Sequence, residues 1–149
     1  MQASERTLHA LRAQVSFELV ENAAAVARAA KVLSTASDRA NESMRSSEAA
    51  AEALRMVMGQ ARPNPTHMTM MRRVYRAELH ALHEAENDLA AAEVDEQHKR
   101  DALAELRNRE RSLERAIDVD RAKRTRREQV VEMAIADDSW LHQLWREQQ

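Results

Sequence analysis

Glycine and proline are almost absent from this chain of 149 residues, and their few positions fall together. The single Gly and the two Pro are Gly59, Pro63 and Pro65. Gly accepts the left-handed conformation that often follows the end of a helix, and each Pro disfavours helix in the residue before it. The sequence therefore predicts one break, at residues 59–65.

The regular structure on both sides of this break is predicted to be helix. The chain has no Cys and is only 3% aromatic, so it is poor in residues that favour strands. Strong helix formers dominate, and 32% of the residues are charged, with both signs interleaved. Asn64 is suited to cap a second helix with Pro65 in its first position. We therefore expect helices over residues 4–58 and 65–147.

Each predicted helix has one apolar face. In the first helix, apolar residues recur at steps of three, four or seven. They are Val15, Leu19, Val26, Ala30, Leu33, Ala40, Met44, Ala51, Leu54 and Met58. In the second helix, steps of seven from Tyr75, with companions three residues later, predict a heptad seam. Polar residues interrupt it at Glu96 with Lys99, and again over residues 120–127.

The short connector predicts an all-α fold: an elongated, antiparallel coiled-coil hairpin of two helices with a left-handed supercoil. One Phe and abundant Ala suit a thin seam better than a thick interior. If the bend centres near Asn64, residues whose numbers total about 126 face each other. The first helix then starts beside residue 120, and the second projects alone for roughly 25 residues.

This projecting end contains two candidate groups of contact residues. A basic run supplies Arg121, Lys123, Arg124, Arg126 and Arg127. An apolar helix face is predicted from Trp140, Leu141, Leu144 and Trp145. Because Trp is enriched among interface anchors, docking onto another protein is favoured over folding of the rings back onto Leu8 and Leu11.

Methionines crowd the bend, at positions 56, 58, 68, 70 and 71. Their flexible side chains either fill gaps at the turn or adapt to a partner. Tyr75 and Leu79 lie close by in the sequence, so a partner-binding tip stays an alternative to gap filling.

Enzymatic, cofactor and metal sites are not expected. His80 and His83 are three residues apart, but zinc helices usually place two His four apart and add a third ligand. One Gly cannot build a phosphate-binding loop.

No apolar run approaches the roughly 20 residues that cross a bilayer. A net charge of -2 gives no global reason to expect nucleic acid or an anionic membrane as partner, and a cytoplasmic protein is the expectation.

Three stretches carry a resemblance to a known family. They are the Arg- and Glu-rich heptads of residues 107–117, the basic segment 121–129, and the Ala-Asp-Asp-Ser-Trp-Leu of residues 136–141. With the hairpin pattern and the scarcity of Gly and aromatic residues, they resemble the FliJ/YscO family of type III secretion stalk proteins, the Hrp-type members most of all.

The resemblance implies a non-enzymatic, cytoplasmic part peripheral to the inner-membrane export apparatus. It implies that the paired helix ends enter the pore of a hexameric export ATPase, that another part reaches the export-gate protein, and that some members bind substrate chaperones. Carried onto this sequence, the basic run with Trp140, Leu141, Leu144 and Trp145 would face the ATPase. The bend, through Met68, Met71, Tyr75 and Leu79, would face the gate.

Two other functions fit the residues. The basic run is also the expected contact of a nucleic-acid-associated coiled coil, with a salt-dependent affinity. Against this, no aromatic residue interleaves with the run, and Asp118, Asp120 and Glu128 flank it. The other is a structural protein whose projecting ends pair between chains, as a dimer or a four-helix assembly.

Overall fold

The protein folds as two helices joined by one bend. A computed structural model describes residues 3–147, with side-chain exposure from residue 4 onward. Helix α1 covers Ala3–Met58 and helix α2 covers Pro65–Glu147. No strand occurs within 3–147. These bounds confirm the all-α hairpin and the position of its break, with α1 beginning one residue earlier than expected.

The chain divides into two compact units. The bend unit is Val20–Ala104. The end unit combines the start of α1, up to Leu19, with α2 from Glu105 onward. Within each unit, α1 and α2 pack as an antiparallel pair, so each can be described from its own seam.

Asn64 caps the start of α2, as the sequence predicts. Its side-chain Oδ1 accepts hydrogen bonds from the backbone N–H of Thr66 at 3.0 Å and of His67 at 3.4 Å. Its own carbonyl accepts the N–H of Met68 at 3.0 Å. Since Pro65 has no N–H to satisfy, these bonds complete the first turn of the helix.

Gly59 does not adopt the left-handed conformation that Gly accepts at helix ends. No described residue has a positive φ, Gly59 included. Instead, its N–H donates to the carbonyl of Arg55 at 3.0 Å, and the N–H of Gln60 donates to Val57 at 3.4 Å. The helix therefore ends by tightening its last turn, and the direction of the chain changes in the residues after Gly59.

The heptad seam of α2 is confirmed. Every α2 residue from 65 to 124 that is buried or half-buried lies at one of the two core positions of the heptad, a or d. In the bend unit these residues are Met68, Met71, Tyr75, Glu78, Leu82, Ala85, Leu89, Ala92, Glu96 and Leu103. In the end unit they are Leu106, Glu110, Leu113, Ile117, Asp120 and Arg124. Both predicted polar interruptions are present: Glu96 is buried and Lys99 is exposed at the first, and Asp120 and Arg124 are half-buried at the second.

The predicted face of α1 is partly wrong. Its true core positions also repeat by sevens, and in the bend unit they include Asn22, Val26, Ala29, Leu33, Ala36, Ala40, Ser43, Ser47, Ala50, Leu54 and Val57. Ala30, Met44 and Met58, predicted on this face, are exposed, and Ala51 is only half-buried. Three of these predicted residues lie one position after the buried Ala29, Ala50 and Val57. The error arises because the true core includes serines at positions 43 and 47, and a polar residue does not mark a core position in the sequence.

The seam is thin, as the composition predicts. Half of the buried residues are Ala or Ser, and no described side chain is fully buried. Ser47, 6% exposed, satisfies its hydroxyl by donating to the carbonyl of Met44 at 2.8 Å. Small side chains at facing positions allow two helix axes to approach closely, so the contact area per residue stays low.

Ion pairs report the register within each unit. In the end unit, Arg12 Nη2 lies 3.1 Å from Glu114 Oε1, which is the facing residue that the sequence predicts. In the bend unit, Arg39 Nη1 lies 4.0 Å from Asp88 Oδ2, one residue from the predicted position. Both pairs are solvent-exposed, so they identify the register more than they stabilise it.

Candidate functional site

Helix α2 leaves its seam in the end unit at Arg124. Residues 125–147, called the overhang below, continue as regular helix. All of them are exposed except Leu144, which is half-buried. At 1.5 Å per residue this segment is about 34 Å long. The sequence predicted such a projecting end, and its first residues include Arg126 and Arg127 of the basic run.

Arg124 differs from the other cations of the basic run because it belongs to the seam. Its Nη1 donates to Glu5 Oε2 at 2.7 Å, and its Nη2 donates to Asp120 Oδ2 at 3.2 Å. The hydrogen bond from Arg124 holds the pKa of Glu5 below its usual value. Arg124 therefore fixes the start of α1 to α2, and unlike the other cations of the run it is not free for a partner.

The four remaining cations of the run are exposed: Arg121, Lys123, Arg126 and Arg127. Within the described residues, none of them forms an ion pair. With Asp120 engaged by Arg124, the acidic neighbours left beside them are Asp118 and Glu128. The α2 surface at this point thus presents a net positive patch, suited to carboxylates or phosphates.

The overhang also exposes large apolar side chains. They are Val130, Val131, Met133, Ile135, Trp140, Leu141 and Trp145. Trp140 is 62% exposed and Trp145 is 71% exposed. The alternative that the rings fold back onto Leu8 and Leu11 is not found, because α2 runs unbroken to Glu147. Apolar side chains gathered on one segment are typical of an interaction surface.

The sequence analysis expected the two Trp to share one helix face. In the structure they do not. They are five positions apart in the sequence, which corresponds to about 140° around the helix axis. When the seam heptad of α2 is continued into the overhang, its core positions include Val131, Leu141 and Trp145. Trp140 does not lie at a core position of that heptad. It takes the heptad position that Met133 occupies seven residues earlier. The overhang therefore has two apolar faces, one of them in register with the seam.

The predicted gate contacts near the bend are mostly core residues. Met68, Met71 and Tyr75 are half-buried at heptad positions of α2, and only Leu79 is exposed. Three methionines outside the predicted gate contacts are exposed in the same unit: Met56, Met58 and Met70. Some of the methionines therefore fill the seam, as one alternative predicts, and others are exposed at its surface, where contact with a partner stays a prediction.

No metal site is formed by the described residues, since no group of three metal-binding side chains comes together. His80 is exposed and lies 3.7 Å from Glu84 on its own helix, and His83 is exposed as well. Neither described helix contains a stretch apolar enough to cross a membrane.

Comparison with known proteins gives no relatives. No family model matches the chain, and no curated protein or solved structure matches it significantly. Its function must therefore be inferred from its own surface.

Proposed function

We propose that this protein is a non-enzymatic stalk component of a type III secretion export apparatus, located in the cytoplasm at the inner-membrane export machine. Its end unit would bind the hexameric export ATPase, and its bend unit would bind the export gate and, in some states, substrate chaperones. The resemblance of residues 107–141 to stalk proteins motivates this proposal.

The observation that carries the proposal is the overhang with the exposed cations at its start. A helical hairpin that ends in a single exposed helix can enter a narrow opening where a compact domain cannot. The four exposed cations, two just before the overhang and two at its start, would contact acidic side chains lining the opening. Such contacts near water are individually weak and salt-sensitive, so they permit repeated binding and release.

The bend unit supports the second contact. Met56, Met58 and Met70 supply exposed, flexible side chains next to the turn. Methionine adapts to irregular apolar surfaces, which suits a partner that changes conformation. We propose these three residues, with the predicted Leu79, as the gate contact. Met68, Met71 and Tyr75 would then act indirectly, by shaping the seam beneath it.

The test is binding to the purified export ATPase and stimulation of its ATP hydrolysis. Reversing the four exposed cations, as Arg121→Glu, Lys123→Glu, Arg126→Glu and Arg127→Glu, should weaken binding at least about tenfold, because complementary charges become repulsive. Truncation after Arg127 should abolish it.

The matched control reverses four exposed arginines of the bend unit: Arg62, Arg72, Arg73 and Arg76. It changes the net charge equally and should leave ATPase binding unchanged. If the unaltered protein neither binds the ATPase nor changes its rate, the stalk function is wrong.

A further inference from the structure

The coiled-coil heptad of α2 continues beyond the residues that pair with α1. Asp120 and Arg124 are the seam positions at the start of α1. The same heptad then runs without interruption into the overhang, through Arg127, Val131, Ala134, Asp138, Leu141 and Trp145. All six are exposed. The overhang is therefore half of a coiled coil, already in register with an existing seam.

We propose that a second copy of this chain supplies the other half, with the two overhangs side by side and antiparallel. In such a pair, each a position of one helix meets a d position of the other. One register aligns the overhangs over their whole length. Its layers, each present twice by symmetry, are Val131 with Leu141, Ala134 with Asp138, and Arg127 with Trp145.

The surface of the overhang already has two grooves of the kind that this pairing needs. One groove is lined by Arg124, Arg127, Glu128 and Val131, with Glu132 beside them. The other is lined by Asp138, Leu141, His142 and Trp145. Both sets follow the spacing i, i+3, i+4 and i+7, which is that of the four residues surrounding a knob in a coiled coil.

The proposed register fills both grooves with residues of the second copy. Its Trp145 enters the groove around Arg127, and its Val131 enters the groove around Leu141. An indole on a guanidinium combines burial of a large apolar surface with a cation–π contact. Trp145 and Val131, the most exposed large apolar residues of this face at 71% and 57%, thus find sites on the same face of an identical helix.

Charges beside the core limit the strength of the pair. Glu128 of one copy lies beside His142 of the other, which is favourable when the His is protonated. At the two-fold axis, however, Asp137 meets its own counterpart, and like charges at this distance repel. The dimer should therefore tighten with added salt, and Asp137→Asn should tighten it further.

This inference concerns the isolated protein and goes beyond the proposed function. It does not require an export ATPase, so the two can fail separately. A second copy and an ATPase would both use Trp145, and the dimer would then have to separate before the ATPase binds.

The first test is sedimentation equilibrium of the full chain over a range of concentrations. The mass should rise with concentration from 17.0 kDa to twice that value. Leu141→Lys should raise the dissociation constant at least about tenfold, because each Leu141 contributes to a core layer. Met133→Lys is the matched control: Met133 is exposed on the other face, so it should not change the dissociation constant. A monomer at every concentration, or equal effects of both substitutions, would overturn the proposal.

Tryptophan fluorescence gives a second test that does not depend on a destabilising substitution. Trp140→Phe leaves Trp145 as the only indole, and its emission should shift to the red when the dimer is diluted. Trp145→Phe leaves Trp140, whose emission should not change. A shift in Trp140 alone would place the contact on the wrong face.

Cross-linking tests the antiparallel register. The chain has no Cys, so introduced thiols are unique. Chains carrying Val131→Cys, mixed with chains carrying Leu141→Cys, should form a mixed disulfide under mild oxidation. Either variant alone should react slowly. If Val131→Cys chains link to each other as fast as the mixture does, the helices are parallel and the proposed layers are wrong.

Discussion

Arg124 ties the first turns of α1 to α2 by donating a 2.7 Å hydrogen bond to Glu5. Both side chains are partly shielded from water, at 29% and 18% exposure. Arg124 also contacts Asp120, and Glu5 lies 3.9 Å from His9. The end of the paired region is thus fixed by charge, at a point where the seam offers no large apolar side chain.

This arrangement predicts a pH-dependent end of the hairpin. The pKa of Glu5 is lower in the folded protein than in the unfolded chain, mainly because of the hydrogen bond from Arg124. The stabilisation is therefore complete above the ordinary Glu value of about 4.3 and is lost as the pH falls through the lowered pKa. Glu5→Gln should speed amide hydrogen exchange in the first turns of α1 at neutral pH.

The difference between Glu5→Gln and the unaltered protein should disappear in acid, where Glu5 itself is protonated. Glu21→Gln, at an exposed position of the same helix, is the control and should exchange like the unaltered protein at both pH values. Equal exchange of Glu5→Gln and the unaltered chain at neutral pH would show that Arg124 does not hold the end of α1.

A second prediction concerns the space within the seam. Ala85 is 3% exposed, the lowest exposure among the buried hydrophobic residues of the described chain. Ala85→Leu should lower the free energy of unfolding by about 1–3 kcal/mol, since extra methylenes must separate closely packed helices. Ala90→Leu, exposed on the same helix, should have little effect. Urea unfolding followed by circular dichroism measures both, and equal stabilities would mean that the seam is loosely packed.

The sequence predicted α2 better than α1 for a physical reason. Leu recurs at the core positions of α2, and burying a large apolar side chain is what makes a heptad recognisable. In α1, Ala is frequent on every face, and burial of so small a side chain adds little free energy. Ala29 and Ala30 therefore look equivalent in the sequence, although only Ala29 is buried.

The sequence predicted which residues lie on the candidate site better than it predicted how they are arranged. The exposed cations and apolar residues of the overhang follow from the unequal lengths of the two helices. What the sequence analysis missed was the role of Arg124, because its partner Glu5 is distant in the chain and only the register brings them together. The steps of seven from Tyr75 include Trp145 and omit Trp140, so the sequence pattern itself separates the two rings.

A third prediction concerns the carboxylate within the seam. Glu96 is 6% exposed at an a position, and its ion-pair partner Arg100 is largely exposed on the same helix. A buried charge loses hydration that one such partner does not replace. Glu96→Leu should therefore raise the free energy of unfolding by about 1–2 kcal/mol. Glu93→Leu, at an exposed position, is the control, and a loss of stability on Glu96→Leu would contradict the prediction.

The last prediction concerns the cap at the bend. Asn64→Ala removes the oxygen that accepts the N–H groups of Thr66 and His67. It should lower the free energy of unfolding by about 1 kcal/mol, because two donors at the start of α2 lose their protein acceptor. Asn87→Ala makes the same change at an exposed position inside α2 and should be neutral or slightly stabilising, since Ala is the better helix former. Urea unfolding of the two variants separates capping from propensity, and equal stabilities would show that the bend does not depend on Asn64.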